Sequence, residues 1–351
     1  MKINLLDPSQ ISICVLRTIV LLNRFVIGIS MVTLNQITPT PAMDLSSCRP
    51  RMDLLVSRRQ KEKVLILMGA TGTGKSRLSI DMATRFPAEI INSDKIQVYE
   101  GLDIVTNKIT EEEQCGIPHH LLGIQHPNAD FTAQNFCDMA SFSIESTLNK
   151  GKVPIIVGGS NSYIEALVDD EDYGFRWKYD CCFLWVDVSM PVLRSFVSER
   201  VDRMVQNGMI DEVRKFFDPN ADYSKGVRKA IGVPEFDLYF KMEPFLDEEN
   251  QAKLLQQAIQ AVKYNTCKLA FRQLEKIRRL MNVKRWNIHR FDATQVFRIR
   301  QHGKAADEAW EKFVAGPSTR LVEEFLYNVP VEVPPASVAS RDHNIKQCLV
   351  V

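Results

Sequence analysis

Eight consecutive residues, Gly69-Ala70-Thr71-Gly72-Thr73-Gly74-Lys75-Ser76, fit the pattern G-x-x-x-x-G-K-[ST]. Glycines at this spacing let backbone N–H groups turn inward around phosphate oxygens. Lys75 adds a point charge, the Ser76 hydroxyl is a ligand for Mg²⁺, and a helix starting here contributes its positive dipole end. The expected chemistry is phosphate or diphosphate binding. The loop alone names no reaction, because kinases, ATPases and diphosphate-using transferases all carry it.

The segment Ile90-Ile91-Asn92-Ser93-Asp94-Lys95-Ile96-Gln97-Val98-Tyr99 narrows the choice. Its apolar start reads as a strand, and ligands gather at the carboxyl ends of parallel strands. Asp94 is thereby delivered beside the phosphate loop. A carboxylate there coordinates Mg²⁺, acts as a general base, or caps the following turn.

Both groups need a rigid frame. Val64–Met68 is a short continuous apolar run, and similar runs recur at Ala88–Ile91, Val153–Val157 and Cys181–Val188. Such runs suit strands buried on both faces. Helical patterns at Lys75–Phe86 and Thr132–Asn149 alternate with them, which predicts a parallel sheet covered on both sides. The fold class is α/β, a P-loop NTPase-like parallel sheet flanked by helices, with a helical subdomain. In the latter, Val201, Met204, Val205, Ile210, Val213 and Phe217 trace one helix face. Asn250–Met281 reads as a long amphipathic helix with Leu255, Ile259, Val262, Leu269, Leu274 and Ile277 near one stripe. The organisation expected is an extension over 1–60, a core over 61–189, helices over 190–285, a return to the core over 286–328 and a flexible tail over 329–351.

Composition excludes several classes. Of 351 residues, 45% are hydrophobic and 25% charged, an ordinary globular balance. The net charge is +1, so the clear basic excess of a generic nucleic-acid binder is missing. The eight cysteines form no Cys-x-x-Cys pair and no zinc-finger spacing, and read as free thiols. In the first sixty residues the acids are only Asp7, Asp44 and Asp53, and the apolar stretch Ile11–Leu34 is broken by Arg17, Asn23 and Arg24. An arginine near a bilayer centre costs about 2.5–3.5 kcal/mol. An organellar transit peptide fits better than a membrane span.

The motifs GATGTGKS, INSDKIQVYEGLDIVTNKIT, GIPHHLLG and VGGSNSYIEALV, in this order, resemble the isopentenyltransferase (dimethylallyltransferase) family. The resemblance is greatest to its plant adenylate branch, which acts in cytokinin biosynthesis. SERVDRMVQNGMIDEV, GVRKAIGVPEFD, NTCKLAFRQLEKI and VAGPST extend it over about residues 63–320. It implies transfer of a dimethylallyl group from dimethylallyl diphosphate to N6 of adenine in ATP or ADP, less in AMP. In the family the loop holds the prenyl donor's diphosphate with Mg²⁺. Thr71, Lys75 and Arg200 match diphosphate contacts, and Asp94 matches the general base. Thr106, Asn107 and Lys108, the turn with Ser160 and Asn161, and Lys225, Arg228 and Lys263 match the nucleotide side. His119 and His120 read as turn or core residues after Pro118.

Alternatives are the tRNA-modifying branch, a P-loop kinase and a non-enzymatic nucleotide switch. A C-terminal Cys₂His₂ finger, common in eukaryotic tRNA enzymes, is missing, since only Cys348 follows Cys267. The partners implied are the nucleotide and the prenyl donor, with no nucleic acid, and a monomer is expected. The implied location is the plastid, or the cytoplasm and nucleus if Cys348 is prenylated. Cys348-Leu349-Val350-Val351 fits C-a-a-X, although Val is not a usual final residue. A single prenyl chain gives only marginal membrane binding. In cells fed a labelled prenyl precursor, the wild type should take up label and redistribute relative to Cys348→Ser. Equal distribution with no label would remove this C-terminal address.

Overall fold

The apolar runs become strands because helices cover both of their faces. The structure, a computed structural model, describes residues 61–328. Six parallel strands form one sheet: β1 Glu62–Met68, β2 Ala88–Asn92, β3 His119–His120, β4 Val153–Val157, β5 Tyr179–Asp187 and β6 Ile288–Asp292. Their order is β3-β2-β4-β1-β5-β6. In β1, every residue from Val64 to Met68 is fully buried, as are Ile90 and Ile91 of β2 and Ile155 and Ile156 of β4. The position of β1 between β4 and β5 places the phosphate loop mid-sheet. All strands run the same way, so the segments after β1, β2, β4 and β5 converge on one edge.

The α-helices of seven or more residues are α1 Lys75–Arg85, α2 Ala133–Asn149, α3 Asn161–Asp169, α4 Met190–Gln206, α5 Met209–Phe216, α6 Glu248–Asn282, α7 Lys304–Trp310 and α8 Gly316–Tyr327. Thr132 starts α2 with a reciprocal capping box to Asn135, and Asp247 caps α6 through Asn250 N. None of the helices among the described residues is long and apolar enough to cross a membrane.

Three expectations need correction. The apolar face from Val201 to Phe217 is not one helix. Gly208 takes a left-handed φ of 95° and ends α4, and α5 restarts one residue later. His119 and His120 are an edge strand, pairing in register with Ile90 and Ile91. The stripe of α6 runs through Thr266, Ala270 and Gln273 rather than the half-buried Leu269. Residues 1–60 and 329–351, with the transit-like segment and Cys348, lie outside the described residues.

The segment after β6 clasps α1. Arg77 pairs with Asp307 at 2.7 Å and lies 4.8 Å from the Trp310 ring. Trp310 Nε1 donates to Asp81 Oδ2 at 2.6 Å, and Arg85 pairs with Glu311 at 2.8 Å. A π-helical turn over Glu311–Ala315 joins α7 to α8 within this clasp.

On the opposite side of the sheet from His119, Glu89 is 1% exposed. It accepts from Lys150 Nζ at 2.9 Å, Lys152 Nζ at 3.0 Å and Thr147 Oγ1 at 3.3 Å, and pairs with His120 Nε2 at 2.8 Å. Burial acts to raise its pKa, but the bonds from Lys150, His120 and Lys152 together outweigh it and hold the carboxyl at about 2. An unfolded glutamate titrates near about 4.3. The contribution is therefore present above that value and is lost as pH falls toward the folded value. Glu89→Gln should lower stability by about 1–3 kcal/mol at neutral pH. In denaturant titrations its deficit against wild type should shrink between about pH 4.5 and pH 2; a pH-independent deficit would rule out this account.

Candidate active site

The phosphate loop is shaped by backbone that only glycine adopts freely. Gly74 sits at φ 91°, and a Cβ there would meet the Trp310 ring at 2.9 Å. No side chain caps the start of α1, so its first N–H groups stay open to an anion. Thr73 Oγ1 and Lys75 Nζ both donate to Ala70 O, at 2.9 and 2.7 Å, which ties the loop across itself.

Two cations converge on this loop. Burial pushes the Lys75 ammonium down to about 8; nearby Asp94 opposes that and Arg200 adds to it. Burial, with help from Arg203, lowers Arg200 to about 10. Arg200 Nη2 donates to Thr71 Oγ1 at 2.9 Å. One helical turn on, Arg203 faces the same way, with its guanidinium 5.4 Å from the Phe196 ring. The Nε atoms of Arg200 and Arg203 are buried and have no hydrogen-bond partner in the structure. A desolvated cluster of this kind is complementary to a multiply charged anion.

Lys75, Arg200 and Arg203 line a cavity of about 510 Å³. Its walls also carry Thr71, Gly72, Gly74, Ser76, Asp94, Gln97, Asn107, His119, Gly158 and Gly159, with Phe297 and Arg300 from the segment after β6. Arg300 pairs with Glu199 of the same wall. Burial lowers the pKa of His119, and the hydrogen bond between its Nδ1 and Ile117 O at 2.8 Å only partly offsets that, so the cavity wall favours its neutral form.

Asp94 does two things at once. Its Oδ1 accepts from Ile96 N at 2.9 Å and Gln97 N at 3.4 Å, which caps the turn after β2. Neither bond uses Oδ2, and Asp94 is also a wall residue of the cavity. The turn after β4 holds it there. Ser160 N donates to Ser93 O at 3.2 Å, and Ser160 Oγ accepts from Lys95 N at 3.0 Å. A Cβ on Gly158 would lie 2.3 Å from Ser93 O, so the two turns approach this closely only because residue 158 is glycine.

The cavity gathers Asp94 and the loop residues Thr71, Gly72, Gly74, Lys75 and Ser76 with Arg200. Gly69 and Ala70 hold the loop's base, where a Cβ on Gly69 would meet Val186 O at 2.7 Å. The nucleotide-side residues are placed differently. Thr106 Oγ1 donates to Leu102 O at 2.7 Å, and Lys108 Nζ pairs with Asp103 at 2.7 Å, so both fasten their own loop. Asn107, between them, faces the cavity instead. Ser160 and Asn161 brace the turn rather than line the cavity, with Asn161 Nδ2 donating to Gln273 O at 3.1 Å. Lys225 lies 3.6 Å from Asp222 at the surface, Arg228 donates to Phe216 O and lies over the Phe216 ring, and Lys263 pairs with Asp202 at 2.5 Å. None of these three reaches the cavity wall.

Sequence reading missed Gln97, Arg203, Gln273 and Arg300. Gln97 Nε2 donates to Thr106 O and Asn107 O at 3.1 and 2.9 Å, holding the loop that presents Asn107. Gln273 left one signal, an amide on the apolar stripe of α6. Arg300 left none, because its partner Glu199 is 101 residues away.

A family model described as IPP transferase matches residues 97–174 and 170–280. The chain is 57% identical to adenylate isopentenyltransferase 3, chloroplastic, of Arabidopsis thaliana, over 93% of this chain and 99% of that protein. It is 60% identical to adenylate isopentenyltransferase 5, chloroplastic, of the same plant, over 76% of this chain and 81% of that one. Adenylate isopentenyltransferase 7, mitochondrial, is 53% identical over 76% and 82%. Among solved structures, a eukaryotic dimethylallyltransferase acting on tRNA superposes with TM-score 0.65 at 25% identity, covering 78% of this chain and 81% of that one. A tRNA isopentenylpyrophosphate transferase from Bacillus halodurans gives TM-score 0.57 at 27% identity, over 75% and 100%.

The Lys75 pKa of about 8 makes anion binding pH-dependent in a stated direction. The ammonium is mostly charged at pH 7 and mostly neutral at pH 9. Calorimetry with inorganic diphosphate should show wild type binding more tightly than Lys75→Met, with that advantage narrowing up to about tenfold over this range. A constant ratio would mean that Lys75 does not meet the anion.

Proposed function

The chain belongs to the IPP transferase family, and on that premise we propose that it moves a dimethylallyl group from dimethylallyl diphosphate to N6 of the adenine of ATP or ADP, less readily AMP. The C1–O bond to diphosphate breaks, the N6–C1 bond forms, and N6 loses a proton. The product is a cytokinin precursor. Relatives 57% and 60% identical bear the adenylate name, and the net charge of +1 gives no electrostatic case for a tRNA acceptor.

One observation carries the mechanism: a single cavity has the half-buried cations Lys75 and Arg200 at its loop and the Asp94 carboxylate on its wall. Lys75, Arg200 and the open N–H groups of α1 neutralise the leaving diphosphate as charge builds on it. Asp94 Oδ2 takes the N6 proton. The walls Phe196, Val296 and Phe297 keep water from the cation-like allylic carbon.

Mg²⁺ fits this site through its substrate. Among the described residues no group of three or more His, Cys, Asp or Glu side chains is assembled for a metal. Mg²⁺ characteristically binds by one or two protein oxygens plus phosphates. The Ser76 hydroxyl at the cavity wall is the protein ligand we assign. When bound, the ion would neutralise part of the diphosphate charge.

Loop, base and Arg200 come from one chain, which supports a monomeric working unit. Lys263 would have to exchange Asp202 for phosphate before it gripped an ATP tail. Relatives named chloroplastic and an acid-poor N-terminus place the protein in the plastid.

Mass spectrometry of products from AMP, ADP, ATP and a tRNA anticodon stem, each with dimethylallyl diphosphate and Mg²⁺, tests the acceptor. Prenylated ADP and ATP are expected, and prenylated stem alone would move the chain to the tRNA branch. Asp94→Asn should cut kcat by about 10²–10⁴-fold with diphosphate affinity kept. Near-wild-type turnover would remove Asp94 as the base.

A further inference from the structure

Gln273 is an anomaly of the long helix. It is 7% exposed, on a stripe where Ala270, Leu274 and Ile277 are fully or almost fully buried. A buried amide there is costly unless both of its ends are bonded. Both are. Oε1 accepts from Thr71 N at 2.7 Å, and Nε2 donates to Gly159 O at 3.0 Å. The first contact spans 202 residues and the second 114, so α6 joins the diphosphate loop to the turn after β4.

That turn is the brace of Asp94. From Gly159 the chain passes to Ser160, which bonds Ser93 O and Lys95 N on either side of the aspartate. An unbroken path of hydrogen bonds and adjacent residues therefore runs from the loop, through Gln273, to the carboxylate. The fit is tight, since a Cβ on Gly159 would lie 2.3 Å from Gln273 Nε2. On the other side, Thr71 is fixed a second time by Arg200 through its hydroxyl.

We propose that Gln273 is a positioning residue for prenyl transfer, holding the diphosphate loop and the base-bearing turn in register so that the allylic carbon and the N6 proton acceptor are correctly spaced. The proposal rests on the prenyl-transfer reading above. An amide serves both neighbours at any pH, because it offers an acceptor to an N–H and a donor to a C=O together. Methionine would fit the stripe and bond neither. Glutamate would keep the shape and the Thr71 bond but set a lone pair against Gly159 O until protonated. Lys75, Arg200 and Asp94 remain in either variant, so substrate-binding groups are intact while their spacing is not. A displacement of about 1 Å at reacting atoms costs on the order of 10²-fold.

The test uses the full chain with Q273M and Q273E. Steady-state prenyl transfer is measured from pH 6 to 8.5, alongside inorganic diphosphate affinity by calorimetry and thermal melting. Q273M should lose about 30- to 100-fold in kcat, with donor KM and diphosphate affinity within about threefold. Q273E should lose as much at pH 8, and its activity relative to wild type should recover at least about fivefold toward pH 6, as protonation restores a donor to Gly159 O. The proposal is overturned if Q273M keeps kcat within about threefold. It is also overturned if the variant's loss tracks unfolding or lost diphosphate affinity, or if the Q273E ratio is flat with pH. A wild type that makes no prenylated product sinks the functional reading and this one with it. An active wild type with an unaltered Q273M sinks this one alone.

Discussion

Two half-buried cations of like sign set the terms of this structure. Lys75 and Arg200 are both partly withdrawn from water at the cavity wall, and desolvation lowers both pKa values. Unit charges 4 Å apart repel by about 4 kcal/mol at an effective dielectric of 20. The protein tolerates the pair by bonding each to the loop itself, Lys75 to Ala70 O and Arg200 to Thr71 Oγ1. That stored charge is complementary to a multiply charged anion in a site partly shielded from water. The sheet, the clasp on α1 and the placement of α4 all hold these cations where solvent would otherwise relax them.

The carboxylate of the cavity is delivered by a different strand. Asp94 comes from the end of β2, with β4 between its strand and that of the loop, yet it lies near enough to Lys75 to favour the ammonium form. It is held by its own turn through Oδ1 and by Ser160. Separation by one strand leaves a gap that substrate can fill, and Gly158 sets its floor.

The final third of the chain completes the core rather than decorating it. β6 pairs with β5 in register from Phe183 with Ile288 to Asp187 with Asp292. Buried Asp187 takes Arg290 across that pair at 2.7 Å. Trp310 packs on Gly74 and bonds Asp81, so the helix that presents Lys75 is anchored at its start by a residue 235 positions later. Arg300 then closes the cavity wall against Glu199.

The sequence by itself determined what depends on neighbours along the chain. The loop from Gly69 to Ser76 is readable because its backbone conformation is encoded by its own glycines. The strands at Val64, Ala88 and Val153 are readable because burial on both faces demands unbroken apolar runs. Asp94 is readable because a strand end delivers it. The tertiary structure alone decided what depends on distant partners. Lys108 and Thr106 look like ligand groups in sequence, yet their side chains are consumed by Asp103 and Leu102 O, because a compact loop satisfies its own polar atoms first. Lys263 meets Asp202 only because α4 and α6 pack together. The break at Gly208 hid inside a continuous apolar period, since hydrophobic spacing does not register a left-handed residue. Gln273 stood out in the sequence only as an amide on an apolar stripe, and its role became visible when the fold brought Thr71 N and Gly159 O to either end of it. Hydrogen bonds are directional and short, so a partner more than a hundred residues away leaves no mark on local pattern.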